Sequence, residues 1–204
     1  MRHVMTDKYA NYLYGELLKL SKLNESSCHD ELVEEAVEIS HFLYDNLSGA
    51  PVLQVILDLN KHTARQIMDK LHSIPDFNIL DLIQTPHGAH VIEKIMATDI
   101  NTVDAIANTF VTTVRKTMPE NARFSFIHKL ILHKTANFVL QHLFRNPDVC
   151  EMCAPVFSHD LRVIACHPSG NPTLKAFRGA VGLHKDPKFY DYKMSVEREW
   201  ECVC

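Results

Sequence analysis

The sequence predicts an all-α chain: a curved α-solenoid of about five stacked helical repeats over residues 1–178, followed by a cap or tail over residues 179–204. Three observations predict it. First, a six-residue phrase occurs five times: Ala10-Asn11-Tyr12-Leu13-Tyr14-Gly15, Gly49-Ala50-Pro51-Val52-Leu53-Gln54, Gly88-Ala89-His90-Val91-Ile92-Glu93, Ala136-Asn137-Phe138-Val139-Leu140-Gln141 and Gly170-Asn171-Pro172-Thr173-Leu174-Lys175. Each copy runs small residue, short or polar residue, ring or Pro, two mostly apolar residues, then usually a polar one. The copies are 39, 39, 48 and 34 residues apart, a period typical of stacked-repeat architectures. Second, most phrases follow a short apolar segment and a break, as in Leu80-Asp81-Leu82-Ile83 before Thr85-Pro86-His87, Leu130-Ile131-Leu132 before His133-Lys134-Thr135, and Val163-Ile164-Ala165 before His167-Pro168-Ser169. Third, apolar spacing is helical (Val91, Ile92, Ile95, Met96; Phe138, Val139, Leu140, Leu143), whereas the alternation that marks strands is scarce.

The elements follow in order. Ser27 and Asp30 have the spacing of a capping box ahead of Leu32, Val33, Ala36, Val37 and Leu43. Pro51 and Pro172 fit the first turn of a phrase helix, where no backbone N–H is needed. Ala64–Leu71, Ile79–Ile83 and Phe126–Leu132 are short helices, and Asn101 caps a helix with the stripe Val103, Ile106, Phe110 and Val114. The extra residues in the 48-residue step, Asn101–Asn121 with Pro119, form a lengthened first helix and loop. From Gly179 the pattern fades. The first phrase starts so close to Met1 that the chain reads as a reduced array or a piece of a longer one. An apolar face that one repeat cannot bury alone is buried by its neighbours.

Composition narrows the function. The hydrophobic fraction of 46% suits a folded core. No apolar run approaches the roughly 18 residues of a membrane span, and no secretory leader follows Met1. Six cysteines without such a leader point to reduced thiols inside the cell. Net charge is -4, but unevenly spread. Residues 25–60 carry eight acids and no Lys or Arg; residues 111–145 carry Arg115, Lys116, Arg123, Lys129, Lys134 and Arg145 against Glu120 alone. Opposite blocks suggest that one part of the molecule meets an anion. Cys150-Glu151-Met152-Cys153 and Cys166-His167 are ligand types found in zinc sites, but adjacent Cys166 and His167 suit a tetrahedron poorly; no metal or other cofactor is expected. No nucleophile–base order, phosphate loop or carboxylate pair suggests an enzyme.

At its phrases the chain resembles the Pumilio (PUF) repeat family of RNA-binding proteins, over roughly residues 9–178. His167-Pro168-Ser169-Gly170-Asn171-Pro172 and the irregular spacing resemble its divergent nucleolar branch in small-subunit ribosome biogenesis. The resemblance implies single-stranded or structured RNA, in that branch a ribosomal RNA precursor, as the partner, with ribosome-assembly proteins beside it and a nuclear, nucleolar location. It also implies that the phrase's second and sixth residues meet a base edge while the third stacks. Carried over, Asn137 and Gln141 meet an edge with Phe138 stacking, the combination that suits uracil. Glu93 suits the donors of guanine, with His90 stacking and Ala89 contributing no hydrogen bond. The remaining repeats are partial: Asn11 and Tyr12 with Gly15, Gln54 with Ala50 and Pro51, and Asn171 with Pro172 and Lys175. Selectivity is therefore expected to be modest, with RNA shape and backbone contributing to affinity. The alternatives are a scaffold that binds protein through the acidic 25–60 face and a ribosome-bound factor.

Overall fold

The computed structural model describes residues 2–44, 46–75, 77–184, 186–192 and 194. Cys202, Cys204, Asp45 and most of the tail after Tyr192 lie outside them. Among the described residues the regular elements are helices, with no strand. They are α1 (Arg2–Thr6), α2 (Ala10–Leu23), α3 (Cys28–Glu38), α4 (Ser40–Leu43), α5 (Gly49–Leu59), α6 (Thr63–His72), α7 (Ile79–Leu82), α8 (Pro86–Thr98), α9 (Asn101–Thr117), α10 (Glu120–Leu132), α11 (Ala136–Leu143), α12 (Pro147–His159), α13 (Leu161–Cys166) and α14 (Gly170–Val181). The phrases open α2, α5, α11 and α14 and lie in the first turns of α8.

The chain divides into two compact units. The first holds residues up to Asn78 with Thr85–Thr102. In it α2 packs on α5, α5 on α8, and α3 on α6, around Tyr14, Leu18, Leu53, Ile56, Ile67, Leu71, Ile92 and Ile95. The Tyr14 hydroxyl donates to Leu32 O at 2.7 Å, and burial, with Glu35 nearby, pushes its pKa up. The second unit holds Ile79–Gln84 and the chain from Val103 on. There α11 packs on α10 and α14, and α12 on α14. Its core includes a ring cluster: Phe157 and Phe177 stack at 4.2 Å between centroids, and Phe144 meets both edge-on at 5.9 and 5.4 Å.

The phrase starts with a small residue for a steric reason. A Cβ on Gly170 would lie 2.4 Å from Ile164 O and 2.9 Å from Leu132 Cδ2, and one on Gly49 would lie 2.9 Å from Leu43 Cα. The short helix before each of these two phrases ends directly against the start of the next. Every phrase helix also begins with the same device, three residues ahead of the small residue. Asp7 Oδ1 accepts from Tyr9 N and Ala10 N, both at 2.9 Å. Asn46 Oδ1 accepts from Ser48 N and Gly49 N, both at 2.9 Å. Thr85 Oγ1 accepts from Gly88 N at 3.1 Å. His133 Nδ1 accepts from Thr135 N and Ala136 N at 3.3 and 3.2 Å, and His167 Nδ1 from Ser169 N and Gly170 N at 3.1 and 3.3 Å. Each satisfies orphan N–H groups at a helix start.

The predicted short helices fall at α6, α7 and the second half of α10. Two caps differ. Ser27 sits in helical backbone and makes no cap hydrogen bond, so the capping box does not form. Asn101 is the first residue of α9, and Asp99 accepts its N–H at 2.9 Å. The extra residues of the long step form a long helix, α9, of 17 residues, followed by a break of only two residues, Met118 and Pro119, before the 13-residue α10; Pro119 cannot continue α9.

Candidate nucleic-acid interface

The phrase positions have fixed environments. The second residue turns inward: Asn11 is 5% exposed and Asn137 1%, while Ala50 and Ala89 are buried and Asn171 is half-buried. The third turns outward in all five copies: Tyr12, Pro51, His90, Phe138 and Pro172 are exposed, Tyr12 at 69% and Phe138 at 47%. The sixth lies between, with Gln54, Glu93 and Gln141 half-buried and Lys175 exposed. An i, i+3 relation places the third and sixth residues on one helix face. In the first unit Asn11, Tyr12, Gln54, His90 and Glu93 stand on α2, α5 and α8, of which α2 packs on α5 and α5 on α8. In the second unit Asn137, Phe138 and Gln141 stand on α11 and Asn171 and Lys175 on α14, two helices that pack on each other.

The asparagines also hold main chain. Asn11 Nδ2 donates to Ser48 O at 2.8 Å, tying α2 to the start of α5, and its Oδ1 accepts from Tyr12 N at 2.8 Å. Asn137 Nδ2 donates to His133 O at 2.6 Å, and Asn171 Nδ2 to Ala165 O at 2.8 Å. The family resemblance implies a base edge for these three amides; the structure gives them protein partners. Asn137 Oδ1 accepts from Gln141 Nε2 at 3.1 Å, so the buried amide orients the outer one. His90 Nδ1 lies 3.3 Å from Glu93 Oε2, joining the stacking and edge positions of the third repeat.

Charge is distributed unevenly around these rows. Lys129, Lys134, Arg145 and Lys175 are exposed, and no acid among the described residues pairs with them. Arg123 is committed elsewhere: its guanidinium donates to the carbonyls of Met118 and Arg115, both at 3.1 Å, at the end of α9. In the acidic block, Glu38 pairs with Lys70 at 2.6 Å and Asp58 with Lys94. Cys150 and Cys153 are buried in α12. Burial pushes the Cys150 thiol up to about 12 and that of Cys153 higher still; Cys150 donates to Phe144 O at 3.0 Å. The described residues contain no group of three or more His, Cys, Asp or Glu able to hold a metal ion, and no helix among them is long and apolar enough to cross a membrane.

The helix-start acceptors Asp7, Asn46, Thr85, His133 and His167 are not singled out by the sequence pattern, although an acceptor stands three residues before every small residue. Their chemical variety hides them: a carboxylate, an amide, a hydroxyl and two imidazoles do one job.

No family model and no curated protein matches the sequence. Solved structures do match in three dimensions. The Puf4 RNA binding domain, bound to an HO endonuclease RNA 3' UTR recognition sequence, superposes with a TM-score of 0.63 over 95% of this chain at 15% identity. The Puf3 RNA binding domain, bound to Cox17 RNA 3' UTR recognition sequence site A, gives 0.50 over 95% at 15% identity. The chain spans 54% of the Puf4 chain and 63% of the Puf3 chain. In the order and packing of its helices, this chain has the fold of the Pumilio (PUF) RNA-binding domains.

Proposed function

We propose that the phrase helices bind single-stranded or looped RNA, without catalysis, and that the RNA is a ribosomal precursor met in the nucleolus during small-subunit assembly, in company with assembly proteins. One observation carries the RNA reading: in all five copies the third phrase residue faces out while the second faces in, and three of those outward residues are rings, Tyr12, His90 and Phe138. Exposed rings at one register of successive repeat helices are platforms for unstacked bases, each contributing about 1–3 kcal/mol. The likeness to RNA-bound PUF domains and the Lys and Arg side chains without acidic partners near α11 and α14 support the same reading. The ribosomal and nucleolar part rests on the sequence resemblance alone.

The test is titration of a labelled strand containing uracil, and of the same strand changed at that base, with wild type and with Gln141→Ala, which spares the buried Asn137 and its bond to His133 O. Selective loss on the uracil strand, about fivefold or more for a missing base contact, is expected; equal loss on both strands defeats base reading. Crosslinking in cells and sequencing the bound fragments tests the ribosomal assignment.

A second reading has its own observation. A groove of about 620 Å³ lies between α3 and α6, lined by Asp30, Glu34, Glu38 and Asp69 and by Lys70, which pairs with Glu38; its acidic excess suits a basic protein segment. Salt separates the two surfaces: phosphate contacts weaken steeply as salt rises.

A further inference from the structure

The second unit starts both of its phrase helices on imidazoles, where the first unit uses a carboxylate, an amide and a hydroxyl. Nδ1 accepts an N–H only through its lone pair, so both rings are neutral in this arrangement, with their proton on Nε2. A protonated ring carries N–H at Nδ1 and faces the two backbone donors with a third. It also places a cation at the positive end of the helix dipole. The Thr135 hydroxyl, 3.0 Å from His133 Nδ1 and within reach of Ile83 O and Gln84 O, can accept a hydrogen bond from the ring's new N–H, but Thr135 N and Ala136 N still lose their acceptor.

Among the acids of this unit, Asp81 lies on α7, ahead of the Ile83 and Gln84 carbonyls that Thr135 meets, and Asp148 in the first turn of α12. Lys134 is next to His133; burial, and then Lys134, push the pKa of His133 down. Across α10, α11, α13 and α14 the only acid is Glu120, at the far end of α10 from His133, and the other charged groups there include Lys129, Arg162 and Lys175. On α12, Glu151 pairs with Lys188. Asp160, ahead of α13, is met by His128 and His159. No carboxylate among the described residues lies within ion-pair reach of His133 or His167.

We propose that His133 and His167 form a proton-operated release: neutral, they hold the first turns of α11 and α14 in the base-facing arrangement; protonated, they let those turns fray, so the second unit loosens its RNA on acidification. The proposal rests on the RNA reading above. Its sign is diagnostic, because protonating histidines elsewhere adds positive charge and strengthens binding to a polyanion.

The experiment follows anisotropy of a labelled 12-nucleotide uracil-rich RNA from pH 7.5 to about 5.5 at constant ionic strength, with wild type and with His133→Asn/His167→Asn. Asn46 shows that Asn does this job at the same register. Wild type is expected to lose about fivefold in affinity, the scale of one lost helix cap, and the double variant less than twofold. Equal loss in both proteins, or stronger binding in acid, overturns the proposal. Hydrogen exchange of the first-turn amides of α11 and α14, measured without RNA and expressed as protection relative to the intrinsic rate at each pH, is an independent test: lower protection in acid for wild type but not the variant supports the device, and no difference refutes it. An absence of RNA binding at every pH would sink the RNA reading without changing what the exchange rates say about the two imidazoles. If the double variant fails to fold, His133→Asn and His167→Asn singly are each expected to remove part of the acid response, and an unchanged response in both is equally fatal.

Discussion

Gly170→Ala and Gly179→Ala make the same chemical change within one helix and are expected to have opposite signs. In a helix interior Ala is favoured over Gly by roughly 0.5–1 kcal/mol, because Gly gives up more backbone freedom on folding. At Gly179 a new Cβ meets nothing within 4 Å, so that gain stands. At Gly170 the new Cβ would lie 2.4 Å from Ile164 O, closer than any packed carbon sits to a carbonyl oxygen, and Leu132 Cδ2 at 2.9 Å blocks a simple sidestep. Because Ile164 O is main chain, relief requires α13 to move, and forced overpacking of this kind costs about 1–3 kcal/mol. The net expectation is a loss of up to about 2 kcal/mol for Gly170→Ala and a gain of up to about 1 kcal/mol for Gly179→Ala. Gly15→Ala is a third case: its Cβ would rest at an ordinary 3.7 Å from Val55 Cγ2, so it too should stabilise. Thermal unfolding of the full chain reads the difference as several degrees, at roughly 2–4 °C per kcal/mol for a chain of this size. A Gly170→Ala protein as stable as Gly179→Ala would show that the repeats are not set by the close approach of α13 to α14.

Two further outcomes follow. Asn11→Ala removes the side-chain bond from α2 to Ser48 O and should cost about 1–2 kcal/mol, measured by urea unfolding; an unchanged midpoint would mean that this tie is energetically idle. Thiol labelling mapped by mass spectrometry should modify exposed Cys28 and Cys166 in the native protein at pH 8 and reach Cys150 and Cys153 only on unfolding, since burial holds the Cys150 thiol near 12; rapid native labelling of Cys150 would contradict its burial.

The helical class and the positions of the phrase helices were legible in the sequence because both come from local chemistry: a fixed run of small, polar and apolar residues repeated at a solenoid period, with helical spacing of its apolar members. The outward rings at Tyr12, His90 and Phe138 followed from the family resemblance and not from the apolar spacing, which puts Phe138 in one stripe with buried Val139, Leu140 and Leu143 although it is 47% exposed. Caps were less legible. Ser27 has the right chemistry and makes no cap bond, whereas His133 and His167, which are not favoured cap types, accept two backbone N–H groups each. Whether an acceptor is used depends on backbone dihedrals that the residue type does not impose.

What only the tertiary structure decided is which neighbours cover each side chain. Leu13 and Val52 hold the same place in their phrases, yet Leu13 is 73% exposed and Val52 1%. Asn137 looked like a base contact and is buried beneath Gln141, holding His133 O. By itself the sequence determined that helices form, where their phrases begin and which residues share a face, because these depend on contacts within a few residues of chain. Burial and amide partners depend on segments distant in the chain, 37 residues away in the bond from Asn11 to Ser48 O, and no local pattern encodes which of them arrives.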